Sequence, residues 1–99
     1  MKFGLTTKEI ETILNEIQLN LGATKDPQVY VFGSRAKGTH RDFSDIDLLL
    51  KATSYDVEAL ENIDFERLDI VYKVDFVLDK DLFEGYRNDV ESNIVPFKP

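Results

Sequence analysis

The sequence predicts a small α/β (α+β) domain, in which a short mixed sheet carries helices on one face and an open acidic cleft on the other. Three observations carry that expectation. Asp45 followed by IDLLL, and KVDFVLD from Lys73, alternate apolar and acidic residues with the two-residue period of a strand. Segments near each terminus repeat apolar residues at helical spacing. A further run, QVYVF, is β-branched and aromatic, ends at Gly33, and is too short for a helix.

The elements follow in order. Thr6 and Glu9 have the spacing of a capping box, in which each side chain takes the other's backbone N–H. Ile10, Ile13, Leu14, Ile17 and Leu21 then share one helical face, so a first helix is expected over residues 7–21, closed by Gly22. Residues 28–32 read as a buried strand between a Pro-containing turn and Gly33, and residues 34–38 as a turn or one helical turn. In a strand over residues 45–50, Ile46, Leu48 and Leu50 face one side while Asp45, Asp47 and Leu49 face the other. Val57, Leu60 and Ile63 suggest a modest helix over residues 54–65, and residues 65–72 show no readable period.

Residues 73–79 form a third strand, with Val74, Phe76 and Leu78 opposite Lys73, Asp75 and Val77. A last helix is expected to begin near Asp81, with Asp81 and Glu84 at capping-box spacing. Its stripe is Leu82, Phe83, Tyr86, Val90 and Ile94, with Pro96 ending it, and Gly85 weakens it by about 1 kcal/mol relative to alanine.

A length of 99 residues fits one domain spanning 1–99, with a single core and no room for a separate substrate-recognition domain. No run approaches the roughly 20 apolar residues that span a bilayer, and the start, MKFGLTTKEI, lacks the apolar core of a signal peptide, so no membrane partner is expected. The absence of cysteine excludes disulfides and thiolate zinc sites and fits a cytoplasmic location. A net charge of −7 opposes direct nucleic-acid binding. Arg35, Lys37, His40 and Arg41 nevertheless form a basic cluster just ahead of the paired aspartates, whose plain alternative is a solvated loop turning at Gly38.

Asp45 and Asp47 stand about 7 Å apart on one strand face at a rise of ~3.3 Å per residue. Two such charges raise each other's proton affinity and lose solvation when covered, although a solvated face would carry them at little cost. The combination with Asp75 on a second strand argues for a site. Three carboxylates, with no cysteine and one histidine in the chain, suit a hard divalent ion such as Mg²⁺ or Mn²⁺ rather than zinc. Asp75 is preferred to Asp69 and Asp79 because it alone is embedded in an alternating apolar strand.

An EF-hand is excluded, since the fifth position from Asp45 is Leu49 and the required glycine is missing. A Walker loop is excluded because no GKS or GKT follows Gly33. Gly33 and Ser34, at the end of the first strand, suit a phosphate: the glycine permits close backbone approach and the serine hydroxyl and nearby amides can donate to its oxygens.

Gly33, Ser34, ten intervening residues and Asp45-Ile46-Asp47 together resemble the GSx10DxD motif of the polymerase-β-like nucleotidyltransferase superfamily. The short length and the stretch DIVYKVDFVLD around Asp75 resemble in particular its minimal (MNT) members, the MntA-type antitoxins. The resemblance covers about residues 29–78. It implies transfer of AMP from ATP to a hydroxyl, with release of pyrophosphate. Asp45 and Asp47 would bridge two Mg²⁺ ions, or Mn²⁺, on the triphosphate, and Asp75 would complete the site around the attacking oxygen and accept its proton. Gly33 and Ser34 would hold the nucleotide's terminal phosphates, and Arg35 and Lys37 would neutralise the leaving pyrophosphate.

The resemblance also implies a partner. Minimal members are typically paired with a separate helical HEPN protein, often a toxic ribonuclease, which would be both the substrate, modified on a tyrosine, and a hetero-oligomeric complex partner. An acidic protein is a reasonable electrostatic match for an RNA-binding one. Two other readings compete: a binding-only antitoxin that neutralises sterically, and an enzyme for small molecules, as in aminoglycoside nucleotidyltransferases.

Overall fold

In the computed structural model, which describes residues 1–99 apart from Ala23 and Asp26, the first helix α1 spans Thr7–Leu19. Both arms of the capping box are made: Glu9 N–H donates to Thr6 Oγ1 at 3.1 Å and Thr6 N–H to Glu9 Oε1 at 2.9 Å. The helix stops two residues before the expected end and without help from Gly22. Asn20 occupies the C-terminal cap, its amide nitrogen donating to the Glu16 carbonyl at 2.9 Å. Ile10, Ile13 and Ile17 are fully buried, as the spacing predicts.

Among the described residues four strands form one mixed sheet: β1 (Gln28–Phe32), β2 (Ile46–Lys51), β3 (Val74–Leu78) and β4 (Val95–Pro96), in the order β3-β2-β1-β4. β1 runs antiparallel to β2 and β4, while β2 and β3 are parallel. A parallel neighbour needs a crossover. Here it contains a short helix α3 (Val57–Glu61) and a 3-10 turn at Phe65–Arg67. Val31, Ile46 and Leu48 meet the α1 isoleucines, Leu5 and Phe97 in one apolar cluster, against which Val74 and Phe76 pack partly buried.

The alternation read from β2 therefore sorts its side chains as expected, with one addition. Leu49 shares the carboxylate face yet is 0% exposed. Near that end the helix α4 (Glu84–Glu91) is tied to the sheet by Lys51 Nζ, 2.9 Å from Glu91 Oε1. The acidic positions are thus confined to the first half of β2 and β3.

Three local expectations differ from the structure. The helix expected over residues 54–65 contracts to α3, because Asp56 and then Asp64 each capture a backbone N–H two or three residues on, Ala59 at 3.2 Å and Glu66 at 3.1 Å. Each capture starts a new turn. The last helix begins at Glu84 rather than near Asp81, after a 3-10 turn at Asp79–Asp81 that Arg87 secures through the Asp79 carboxylate and carbonyl, both at 3.1 Å. Phe83 and Tyr86 of its expected apolar stripe remain exposed and pack on each other, with ring centroids 6.4 Å apart.

Third, Pro96 does not merely end a helix; it lies in β4, an edge strand, where proline is tolerated. Pairing continues past it, since Phe97 N–H donates to the Val29 carbonyl at 2.9 Å. That places the Phe97 ring, 3% exposed, in the core against Phe3 at 6.0 Å. Phe97→Ala should lower unfolding stability by roughly 3–5 kcal/mol. Chemical denaturation of the two proteins measures this, and a loss below about 1 kcal/mol would mean that the last strand does not seal the core.

Candidate active site

The parallel ladder sets the site. Its register pairs Ile46 with Val74 and Asp47 with Asp75, and Ile46 N–H donates to the Lys73 carbonyl at 2.8 Å just before it. Register partners on adjacent strands, roughly 4.8 Å apart, project to the same side, so Asp47 and Asp75 share one patch of the sheet. On the other side of β2, Asp47 pairs with Phe32, the last residue of β1. The chain leaving β1 must therefore turn directly beside the Asp47 carboxylate.

Gly33 makes that turn, at φ 74° and ψ −152°. A Cβ at this position would stand 2.6 Å from Asp47 Oδ2, and the positive φ is itself unfavourable for other residues. Gly33 is thus required twice, by the backbone and by the carboxylate. The helical turn α2 (Ser34–Lys37) follows, and Gly38 closes it in the left-handed region at φ 76°. Ser34 is half-buried at the start of this turn and Lys37 is exposed at its end.

Asp47 is half-buried, and its carboxyl is pushed above the ordinary range, first by burial and then by the charges of Asp75 and Asp45, with Arg35 and Lys73 pulling the other way. Asp45, exposed just before β2, adds charge at the rim. Lys73 lies 3.5 Å from Asp75 Oδ1, but both groups are well exposed and such pairs contribute little. A carboxylate whose ionised form is disfavoured by burial and by neighbouring negative charge, as at Asp47, is a place where a cation binds favourably.

The donor set is all oxygen, since the one histidine, His40, lies against Gly4 instead. Among the described residues no group of three His, Cys, Asp or Glu side chains is placed to hold a metal ion, so Asp45, Asp47 and Asp75 do not converge on one point as the sequence leads one to expect: Asp45 lies exposed ahead of the ladder that pairs Asp47 with Asp75. Mg²⁺ commonly takes only one or two protein carboxylates, with water and substrate phosphate filling the rest. Asp47 and Asp75, side by side in register, are donors of the type such an open site uses.

Arg35 stands differently from the expectation that it neutralises pyrophosphate. It is 3% exposed, and three of its N–H groups are taken by protein carbonyls: Nε and Nη2 donate to Ser44 O at 3.1 and 2.7 Å, and Nη1 to Phe3 O at 2.9 Å. Its guanidinium carbon lies 4.5 Å from the Tyr72 ring centroid. Phe3 O and Tyr72 were not legible as partners, because the first contact joins residues 32 positions apart and the second lies in the aperiodic stretch before β3. The cavities of about 590 and 440 Å³ are lined by residues such as Leu60, Phe65, Ile70, Val74 and Phe76, and neither includes Asp45, Asp47 or Asp75.

Comparison with known proteins adds independent findings. Residues 8–97 match the family described as "Nucleotidyltransferase domain". No curated protein sequence matches the chain. Among solved structures, the chain is similar to one from a crystal structure of a toxin–antitoxin with AMP-PNP, at TM-score 0.67 and 21% identity, over 89% of this chain and 71% of that one. It is also similar to a protein of Sulfolobus solfataricus provisionally described as a nucleotidyltransferase, at TM-score 0.52 and 23% identity, over 92% of this chain and 78% of that one. At such identities the likeness concerns the fold.

The Asp47 environment sets a pH dependence. Because its native carboxyl titrates above the unfolded one, the native state binds more protons in the interval between the two, and stability falls as pH rises through that interval. In the presence of a chelator, Asp47→Asn should therefore raise Tm at about pH 7, with the gain disappearing below about pH 4, where both forms of the parent chain are protonated. Thermal melts at the two pH values check this; an equal shift at both would exclude a charge effect.

Proposed function

The chain belongs to the nucleotidyltransferase domain family and has the polymerase-β-like fold, and from that premise we propose that it transfers AMP from ATP to a hydroxyl of a HEPN-type toxin, acting as its antitoxin. The observation that carries the reading is the Asp47–Asp75 register, with Gly33 packed on the Asp47 carboxylate. The toxin–antitoxin chain crystallised with an ATP analogue supports both halves of it, nucleotide and partner. A tyrosine is the proposed acceptor, in a hetero-oligomeric complex. A cytoplasmic location belongs to the same proposal; among the described residues no helix is long and apolar enough to cross a membrane.

In the proposed reaction the acceptor oxygen forms a bond to the α-phosphorus of ATP, and the bond from that phosphorus to the bridging oxygen breaks, releasing pyrophosphate. Asp45, Asp47 and Asp75 would hold Mg²⁺, or Mn²⁺, which supplies Lewis acidity for the acceptor oxygen and charge neutralisation for the triphosphate. Asp75 stands on β3, at the edge of the sheet opposite β4, so an acceptor arriving past that edge would meet it first. It is suited to take the acceptor's proton. On the β1 side, the backbone at Gly33 and the Ser34 hydroxyl would donate to a terminal phosphate oxygen. Lys37, exposed at the end of α2, would meet the charge of the departing pyrophosphate.

Two measurements test the reading. Incubation of the purified chain with ATP, Mg²⁺ and a candidate HEPN protein should add AMP to a tyrosine of that protein, read by peptide mass spectrometry. Asp45→Asn combined with Asp47→Asn should reduce the transfer at least about 100-fold while the protein stays folded. A complex that forms and neutralises the toxin equally well with the doubly substituted chain, and without modification, would instead make neutralisation steric. Gly33→Ala, which drives a methyl group into Asp47, should also lower the transfer by about 100-fold; activity near the parent level would remove Asp47 from the reacting centre.

A further inference from the structure

Arg35 is buried beside the site and held by three hydrogen bonds to backbone carbonyls, and the proposed reaction does not use it. Two of its three protein contacts lie at the entries to the strands that carry the carboxylates, and the third lies in the N-terminal turn. Ser44, whose carbonyl receives two of its N–H groups, directly precedes Asp45. Tyr72, whose ring lies under the guanidinium, is three residues before Asp75. Phe3, whose carbonyl receives the third contact, belongs to a tight turn in which Lys2 and Leu5 exchange backbone hydrogen bonds at 3.0 and 2.8 Å. Arg35 itself follows Ser34 on α2, so one side chain reaches the phosphate turn, the lead into β2 and the lead into β3.

The surroundings are shaped to admit it. Gly4, at φ 74°, is the other half of the N-terminal turn, and a Cβ there would lie 2.9 Å from Arg35 Nη1 and 2.3 Å from His40 Nε2. The lead into β2 is compact but strained: Phe43 has φ 63°, uncommon for a bulky residue, while Ser44 closes a local turn by donating to Arg41 O at 3.1 Å and accepting from Arg41 N–H at 2.8 Å. A strained lead of this kind holds one geometry only when its surroundings over-determine it. The planar guanidinium does so by presenting two parallel donors to one carbonyl, which an ammonium group cannot reproduce.

We propose that Arg35 is a positioning residue for nucleotidyl transfer: by clamping the Ser44 carbonyl, the Phe3 carbonyl and the Tyr72 ring together, it fixes the leads into β2 and β3 and so the placement of Asp45 beside the Asp47–Asp75 pair. This inference rests on the carboxylate-site reading above. Its role is geometric, so a lysine that keeps the charge should not restore it.

The test uses the full chain and Mn²⁺ alone as probe, with free Mn²⁺ followed by electron paramagnetic resonance, alongside Tm and AMP transfer. Arg35→Lys should weaken Mn²⁺ binding by about tenfold and lower kcat for transfer more than it raises KM for ATP. Tyr72→Leu, which leaves every Arg35 hydrogen bond available, should shift both in the same direction by a smaller factor, and it carries the test if Arg35→Lys does not fold. A lower Tm in either folded variant with unchanged Mn²⁺ affinity and unchanged kcat would overturn the inference and leave Arg35 a stabilising residue, with the carboxylate site intact. Absence of Mn²⁺ binding in the unsubstituted chain would overturn the carboxylate-site reading, and the inference with it.

Discussion

The parallel pairing of β2 with β3 is the constraint on which the rest of the molecule depends. It sets Asp47 beside Asp75, two acidic groups that repel each other in a partly desolvated patch, and it holds them there through the ladder rather than through any attraction of their own. The opposite faces of the same two strands supply the compensation. Ile46 and Leu48 are fully buried against α1, and Val74 and Phe76 extend that contact. Because side chains alternate strictly along a strand, the apolar face cannot be buried without also aligning the carboxylates. A one-residue slip would lose both, so the core enforces the register of the site.

Glycine and arginine then shape the surroundings at close range. Gly33 allows β1 to end against Asp47, and Gly4 allows the N-terminal turn to close over Arg35. In each case the backbone approaches a charged side chain nearer than a Cβ would permit. The basic cluster ahead of the aspartates is accordingly not one functional unit. Arg35 is buried among carbonyls, His40 lies against Gly4, and Lys37 and Arg41 are exposed. Residues adjacent in sequence take different roles because α2 is a single helical turn, which points successive side chains toward the core and toward solvent.

The elements that were legible are those whose signal is local and periodic. The capping box of α1, the alternation of β2 and β3 and the short apolar run of β1 each record their own burial pattern, and the structure keeps them with small changes at the ends. The failures share a different cause. Residues 54–65 contain a helical apolar spacing, but Asp56 and Asp64 compete for backbone N–H groups and break it into turns. Phe83 and Tyr86 have the period of a buried stripe, yet α4 is joined to the body mainly through Lys51, Glu91, Arg87 and Asp79. Residues 95–96 become a strand only because β1 has an unpaired edge, a fact about another part of the chain.

By itself the sequence determined the family resemblance, the identity of the paired aspartates, the glycine-serine turn and the segregation of apolar from acidic strand faces. These are properties of short windows, where spacing translates directly into direction. The tertiary structure decided which strand lies beside which, and hence that Asp75 is the register partner of Asp47 while Asp79 is held by Arg87. It also decided that Arg35 is an interior clamp rather than a surface charge. Its contacts at Phe3, Ser44 and Tyr72 lie far apart along the chain, and only the folded sheet brings such groups within hydrogen-bonding distance.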